Sequence, residues 1–304
     1  MIRFLAAAFV VAFIATPVRG DELTIGGVKR TFKVQLASQR PAPLVLALHG
    51  NSQQGRDMEV RTSWPAVAKR ENFIAVFPDG LNRSWADLRG SGARSGSRPP
   101  AGTDDIAFMM AIIDRLVKDG IADPHRIYAT GLSNGGAMAL SLACRHPDKF
   151  AAVAPIIVNM TDPFAEACKP GRPIPLLMMN GTDDPLIPYN GGLGTSRLAV
   201  PGFWSTAQTV ALWRKLNRCA TQDANATDLP DRNKDDHSTV TRIASTCPPG
   251  QDVVLYRVNG GGHRMPGGFP DAVAARLFNA MLGPQNRDID GAETIWDFFK
   301  NYSR

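Results

Sequence analysis

Residues 131–135 read Gly-Leu-Ser-Asn-Gly. The β-branched and aromatic stretch RIYAT leads into them, and the Ala/Leu/Met-rich GAMALSLAC leads out. The spacing is G-x-S-x-G where a strand should turn into a helix. A turn that sharp needs small neighbours, strains the backbone of Ser133 and lifts its hydroxyl above the sheet edge. The backbone N–H of Asn134, opening the helix, then points at any oxygen on which Ser133 attack builds charge. The chemistry is that of a nucleophile, set against the plainer reading of a tight turn that needs glycine.

A serine hydroxyl attacks well only when a base takes its proton. Of His49, His125, His146, His237 and His263, only His263 lies in a glycine-rich loop, NGGGHRMPGG, directly after a strand-like run, DVVLYRV. His146 reads as a helix C-cap or surface residue, His125 as a turn residue, and His237 lies in a polar stretch. The acid that orients the base is expected after another strand. NGTDDPLIPYNGG follows PLLMM and offers Asp183 and Asp184, between which spacing does not choose. A second oxyanion donor is expected in LALHGNSQQG, from the backbone N–H of Asn51 or Ser52, with His49 as a structural hydrogen-bonding residue beneath that loop.

These groups need a scaffold, and the hydrophobic pattern supplies one. Short continuous apolar runs (PLVLALHG, FIAVFPDG, RIYATG, AAVAPI, PLLMMNG, DVVLYRV) suit strands buried on both faces. Helical patterns lie among them: DDIAFMMAIIDRLVKDG capped by Thr103 or Asp104, then 134–144, 206–216 and 294–302. A hairpin is expected over Thr24–Leu36. Strands alternating with helices predict an α/β fold with a mostly parallel central sheet and helices on both faces. Residues 220–250 are polar and read as an irregular excursion. The run 89–98, RGSGARSGSR, reads as a solvated flexible loop.

Residues 1–20 carry one early arginine and an apolar run from Phe4 to Ala15, followed by small residues. This predicts a signal peptide cut near Gly20, because the run is shorter than the roughly 20 residues a spanning helix needs. The mature chain, 21–304, is expected to be one domain without a membrane span, secreted or periplasmic. The net charge of +6 is dispersed, with no aromatic-interleaved basic patch, which argues against nucleic-acid binding. Cys144, Cys168, Cys219 and Cys247 form an even set, which in an exported chain favours disulfides. Three pairings are open; Cys144–Cys168 and Cys219–Cys247 are expected. No tight pair matches a zinc motif, and no metal is expected.

The segments LVLALHGNSQQG, FPDGLNRSWAD, DDIAFMMAIID, RIYATGLSNGGAMALSLACRHPDKFAAVAPI, GTDDPLIPYNGG and VNGGGHRMPGG together resemble the polyhydroxybutyrate-depolymerase-like esterases, which include secreted feruloyl esterases. The resemblance spans about residues 25–300. It implies a single α/β-hydrolase domain acting on an ester substrate, from polysaccharide or from polyester oligomers, with no cofactor. It implies Ser133 as nucleophile, His263 as base and Asp184 as acid, with an oxyanion hole at Asn51 and Asn134. It also places Trp85, in SWAD, near the substrate cleft. Two positions depart from the pattern: Asn51 stands where many relatives carry cysteine, and Met265 where many carry tryptophan.

Overall fold

A computed structural model describes residues 19–89, 97–193, 202–221, 224–267 and 280–304. Most of the expected signal peptide and Arg94 of the glycine/serine-rich run lie outside these residues. Among the described residues, ten strands form one sheet in the order β1-β2-β4-β3-β5-β6-β7-β10-β9-β8. They are β1 (Arg19–Ile25), β2 (Val28–Gln35), β3 (Ala42–Leu48), β4 (Ile74–Pro78), β5 (Ala122–Leu132), β6 (Ala152–Ile156), β7 (Leu176–Gly181), β8 (Ala224–Asp228), β9 (Thr239–Ser245) and β10 (Val253–Asn259). The six strands from β4 to β10 in sheet order pair in parallel, and both margins are antiparallel.

Alternate residues of each continuous apolar run feed two cores. In β3, Leu44, Leu46 and Leu48 face one core while Val45 and Ala47 face the other. In β7, Leu176 and Met178 oppose Leu177 and Met179 in the same way. The first core is covered by α3 (Asp105–Lys118), α4 (Asn134–Arg145), α5 (Asp162–Ala167) and α6 (Thr206–Leu216). The second is covered by α1 (Gly55–Arg61), α2 (Trp64–Glu71) and the C-terminal helix α7 (Gly291–Phe299). Phe73 stacks on Trp296 and Tyr128 on Phe299, which fastens α7 to the sheet. The layers are those of the α/β-hydrolase fold.

Several elements differ from expectation. The polar run 220–250 contributes β8 and β9, which extend the sheet antiparallel to β10. A margin strand pairs through its backbone and buries little, so its side chains stay polar and the periodic signal is weak. Cys219–Cys247 closes the base of this hairpin, and Cys144–Cys168 ties the end of α4 to the end of α5. Helix α7 begins at Gly291, three residues before the pattern suggested, because Asp290 caps it by accepting from the Glu293 amide. Asp104, not Thr103, caps α3. Arg89 is not part of a solvated loop: its side chain is 10% exposed and pairs with Asp87 at 2.6 Å.

Candidate active site

Strands β5, β6, β7 and β10 are consecutive neighbours and run the same way, so the loops leaving their C-terminal ends gather along one edge. Ser133 leaves β5, Asp184 leaves β7 and His263 leaves β10. This is the edge at which open parallel sheets bind ligands.

The turn at Ser133 is as tight as its sequence demands. Ser133 has φ 56° and ψ −112°, a conformation that L-residues seldom adopt, and caps α4. Its amide donates to the carbonyl of Ile156 at the end of β6. A Cβ at Gly131 would lie 2.4 Å from the Gly135 backbone, and one at Gly135 would lie 2.3 Å from the Leu48 carbonyl. Both glycines are therefore required by close approach, which answers why the serine is flanked so. The first amides of α4 are left pointing out of the helix end beside Ser133.

The acid and base are brought together. Asp184 Oδ2 accepts from His263 Nδ1 at 2.7 Å, while Asp184 Oδ1 accepts from the amides of Leu186 and Ile187, both at 2.8 Å. Both residues are buried, whereas Asp183 is exposed and, among the described residues, its carboxylate accepts from the Thr182 hydroxyl. The geometry thus separates two aspartates that spacing left equivalent. An ionised carboxylate only accepts, so Nδ1 carries the proton and Nε2 presents its lone pair. The two loops are also joined: the Gly260 amide donates to Thr182 Oγ1, and the Asp183 amide to the Gly261 carbonyl. Gly262 packs so closely on residues 282–283 that a Cβ there would meet the Leu282 carbonyl at 2.1 Å. The Ser133 hydroxyl makes no hydrogen bond among the described residues; such contacts commonly tighten only with substrate bound.

Opposite the helix end lies the loop after β3. The Ser52 amide is engaged by the Arg83 carbonyl at 2.8 Å, which leaves the Asn51 amide as the available donor of the two. The Asn51 side chain is turned away, donating to Ser84 Oγ and to the Ser97 carbonyl. His49 is fully buried beneath the loop. Its Nε2 accepts from the Gly80 amide at 2.9 Å and its Nδ1 meets the Gly50 carbonyl at 2.7 Å. Burial pushes its pKa down, against the raising effect of the Gly50 carbonyl, so the imidazole is a neutral brace.

Trp85 does not occupy the expected place. It is 2% exposed, its ring lies 4.6 Å from that of His49, and its Nε1 donates to the His49 carbonyl at 2.8 Å. An indole with its N–H satisfied inside the protein packs under the loop and offers no face to a ligand. The SWAD segment is held down from below as well. The Ala86 amide donates to Asp105, which pairs with Arg30 at 2.6 Å. Desolvation raises the pKa of Asp105, opposed by the Ala86 amide and by Arg30.

Sequence reasoning missed two sets of supporting residues. Asn180, at the end of β7, is a saturated buried amide that bonds Val158, Asn159 and Thr206 and so shapes the loop after β6. Asn134 uses its side chain as well as its amide: Oδ1 accepts from Trp85 N and Ser84 Oγ, and Nδ2 donates to the Trp85 carbonyl and Asp87. The only signal for either was an amide side chain abutting an apolar strand or helix, which is common in turns.

A parallel sheet with a serine elbow and a buried acid–histidine pair along one edge defines a hydrolase of the α/β class. The model of the prolyl oligopeptidase family matches residues 74–163, from β4 past the elbow and β6 to the start of α5. The chain is 31% identical over 297 residues to "Putative esterase NocK" of Nocardia uniformis subsp. tsuyamanensis, covering 91% of this chain and 81% of that protein. It belongs to the same esterase family and is a carboxylic ester hydrolase. It is also 29% identical to feruloyl esterase B of Piromyces equi, covering 76% of this chain; it spans 41% of that protein's length. Among solved structures, "Crystal Structure of a Thermostable Esterase" superposes with a TM-score of 0.55 at 17% identity. That match covers 94% of this chain and 63% of the other, and supports the fold. No helix among the described residues is long and apolar enough to cross a membrane.

Proposed function

We propose that the protein is an exported serine esterase working through Ser133, His263 and Asp184. The reading is carried by one observation, the 2.7 Å contact between Asp184 Oδ2 and His263 Nδ1 with Oδ1 held by two amides. In this reaction Ser133 Oγ attacks the ester carbonyl carbon while its proton passes to His263 Nε2. The Asn51 and Asn134 amides hold the oxyanion. The acyl–oxygen bond to the alcohol breaks, and the alcohol leaves with the proton from His263. Water then gives a proton to His263 and adds to the acyl carbon, and Ser133 departs with that proton as the acid is released. No metal or cofactor is called for.

The favoured substrates are feruloyl or other short or aromatic esters of plant polysaccharide. Feruloyl esterase B of Piromyces equi is a relative that supports this choice. Export rests on the two disulfides together with the apolar N-terminal run.

The test is kcat/KM on methyl ferulate, p-nitrophenyl acetate, acetylated xylan, a hydroxybutyrate trimer and a prolyl peptide, beside Ser133→Ala. Loss of a triad serine is expected to lower kcat on the order of 10⁶-fold. Near wild-type turnover in Ser133→Ala refutes the mechanism. A hundredfold preference for the trimer replaces plant esters with polyester oligomers, and one for the peptide replaces esterase with peptidase, the reading favoured by the match over 74–163.

A further inference from the structure

Ser84 lies between the two residues whose amides serve the oxyanion, and no step of ester hydrolysis calls for its hydroxyl. It is 3% exposed. Its Oγ accepts from Asn51 Nδ2 at 2.9 Å and donates to Asn134 Oδ1 at 3.2 Å. The single hydroxyl proton and one lone pair are thereby used in a fixed sense, from Asn51 through Ser84 to Asn134.

The sheet explains why such a link is useful. Leu48 of β3 and Gly131 of β5 are partners in the strand register. Asn51 and Asn134 each lie three residues beyond that pair. The two loops therefore leave the sheet side by side and are free to diverge over those three residues. Ser84 joins them again at the height where the oxyanion forms. Its neighbours support the same span: the Arg83 carbonyl accepts from the Ser52 amide, and the Trp85 amide donates to Asn134 Oδ1 at 2.8 Å.

We propose that Ser84 is a positioning residue that sets the separation and aim of the Asn51 and Asn134 amides, so that both meet the oxyanion. This inference rests on the reading of Ser133, Asn51 and Asn134 given above. Oxyanion donors act at 2.7–3.1 Å from an atom that moves as the carbonyl becomes tetrahedral, so a small drift of one loop weakens the transition state more than the bound ester.

Ser84→Ala is a clean probe, because neither amide side chain is orphaned: Asn51 Nδ2 keeps the Ser97 carbonyl and Asn134 Oδ1 keeps the Trp85 amide. On p-nitrophenyl acetate, Ser84→Ala is expected to lower kcat about 10- to 100-fold with KM within about twofold, a fraction of the loss when a whole donor is removed. Affinity for an alkylboronic acid, whose serine adduct is tetrahedral, falls by the same factor. The acid limb of the pH profile stays in place, because the His263–Asp184 pair is untouched. Ser84→Thr, which restores the hydroxyl, recovers most of the kcat. Should Ser84→Ala not fold, Asn51→Ala opens the link from its other end while keeping the backbone amide, and must give the same pattern. Wild-type kcat and boronate affinity in the folded variant overturn the inference, as does a loss seen mainly in KM or melting temperature. Ser133→Ala is run in parallel. If it retains turnover, the reading underneath fails. If it is inactive while Ser84→Ala matches wild type, only the positioning role falls.

Discussion

Asn at position 184 tests the acid–base pair more sharply than deletion does, because the structure fixes which way the new amide must face. Oδ1 of Asp184 accepts from two backbone amides, Leu186 and Ile187, each at 2.8 Å. In Asp184→Asn the carbonyl oxygen has to keep that place, since an NH2 there would confront two donors and leave three buried groups unpaired. The NH2 is then aimed at His263 Nδ1, 2.7 Å away in the parent. A donor facing Nδ1 makes that nitrogen the acceptor and moves the ring proton to Nε2, where the imidazole can no longer take the Ser133 proton. The fold is retained while the base is in the wrong tautomer. A triad acid changed in this way is expected to lower kcat about 10³- to 10⁴-fold, or about 4–5.5 kcal/mol of barrier. Asp183→Asn alters an exposed carboxylate that accepts from one hydroxyl, and should stay within about threefold of wild type. Initial rates on p-nitrophenyl acetate, with circular dichroism to check folding, decide the matter. A larger loss in Asp183→Asn, or Asp184→Asn within tenfold of wild type, would refute the assignment of the acid.

Two further expectations concern stability. His49 is held neutral by burial, so its folded pKa lies below its ordinary 6.5 and the unfolded chain takes up the proton first; stability should therefore fall as pH drops through about 6.5. Urea midpoints between pH 8 and 5 should decline less steeply in His49→Gln than in wild type, and parallel declines would show that His49 does not contribute. Replacing Cys219 and Cys247 by alanine frees a loop with a sequence separation of 28, and should lower unfolding free energy by about 3.5 kcal/mol on the chain-entropy account. A change under 1 kcal/mol in denaturant titration would mean that the β8–β9 hairpin is held by strand pairing alone.

The elbow and the central strands were more legible in the sequence than the margins of the sheet. G-x-S-x-G could be read because the elbow excludes side chains at both glycines, and steric exclusion writes itself into residue type. The continuous apolar strands were legible for a similar reason, since burial on both faces forbids polar residues. Asp183 and Asp184 were not separable, because what distinguishes them is which way each carboxylate points after the turn. Trp85 was misplaced because an aromatic after a turn has the same sequence signature whether it lines a cleft or packs beneath it; the His49 carbonyl that takes its N–H decides, and that contact spans 36 positions. Helices α1, α2 and α5 are six to eight residues long and were missed, too short to show a sustained apolar stripe.

The site edge carries a concentration of backbone strain with a definite pattern. Ser52, Asn82, Arg83, Ser133 and Ile157 are five of the eight non-glycine residues with positive φ among the described residues, the others being Asn72, Arg218 and His237. Each such residue costs on the order of 1–3 kcal/mol, a serious sum beside a domain stability of about 5–15 kcal/mol. Ile157, β-branched at φ 45°, is the least tolerant of the five. Four of them are tied to neighbouring loops or strands by backbone hydrogen bonds. The Ser133 amide donates to Ile156, the residue just before Ile157, and the Ile157 amide donates to Met179 of β7. The Ser52 amide donates to the carbonyl of Arg83, itself strained. Relaxing Ser133 or Ile157 would strip a hydrogen bond from β6 or β7, and relaxing Ser52 or Arg83 would break the contact between them. The same contacts run through the Ser133 elbow and the loop after β3. A serine esterase needs its oxyanion donors aimed before substrate arrives, because donors that reorient during the reaction return part of what they contribute. Strain held by such contacts is a backbone means to that end, and at Ser133 and Ile157 it stands on the sheet edge from which Asp184 and His263 also leave.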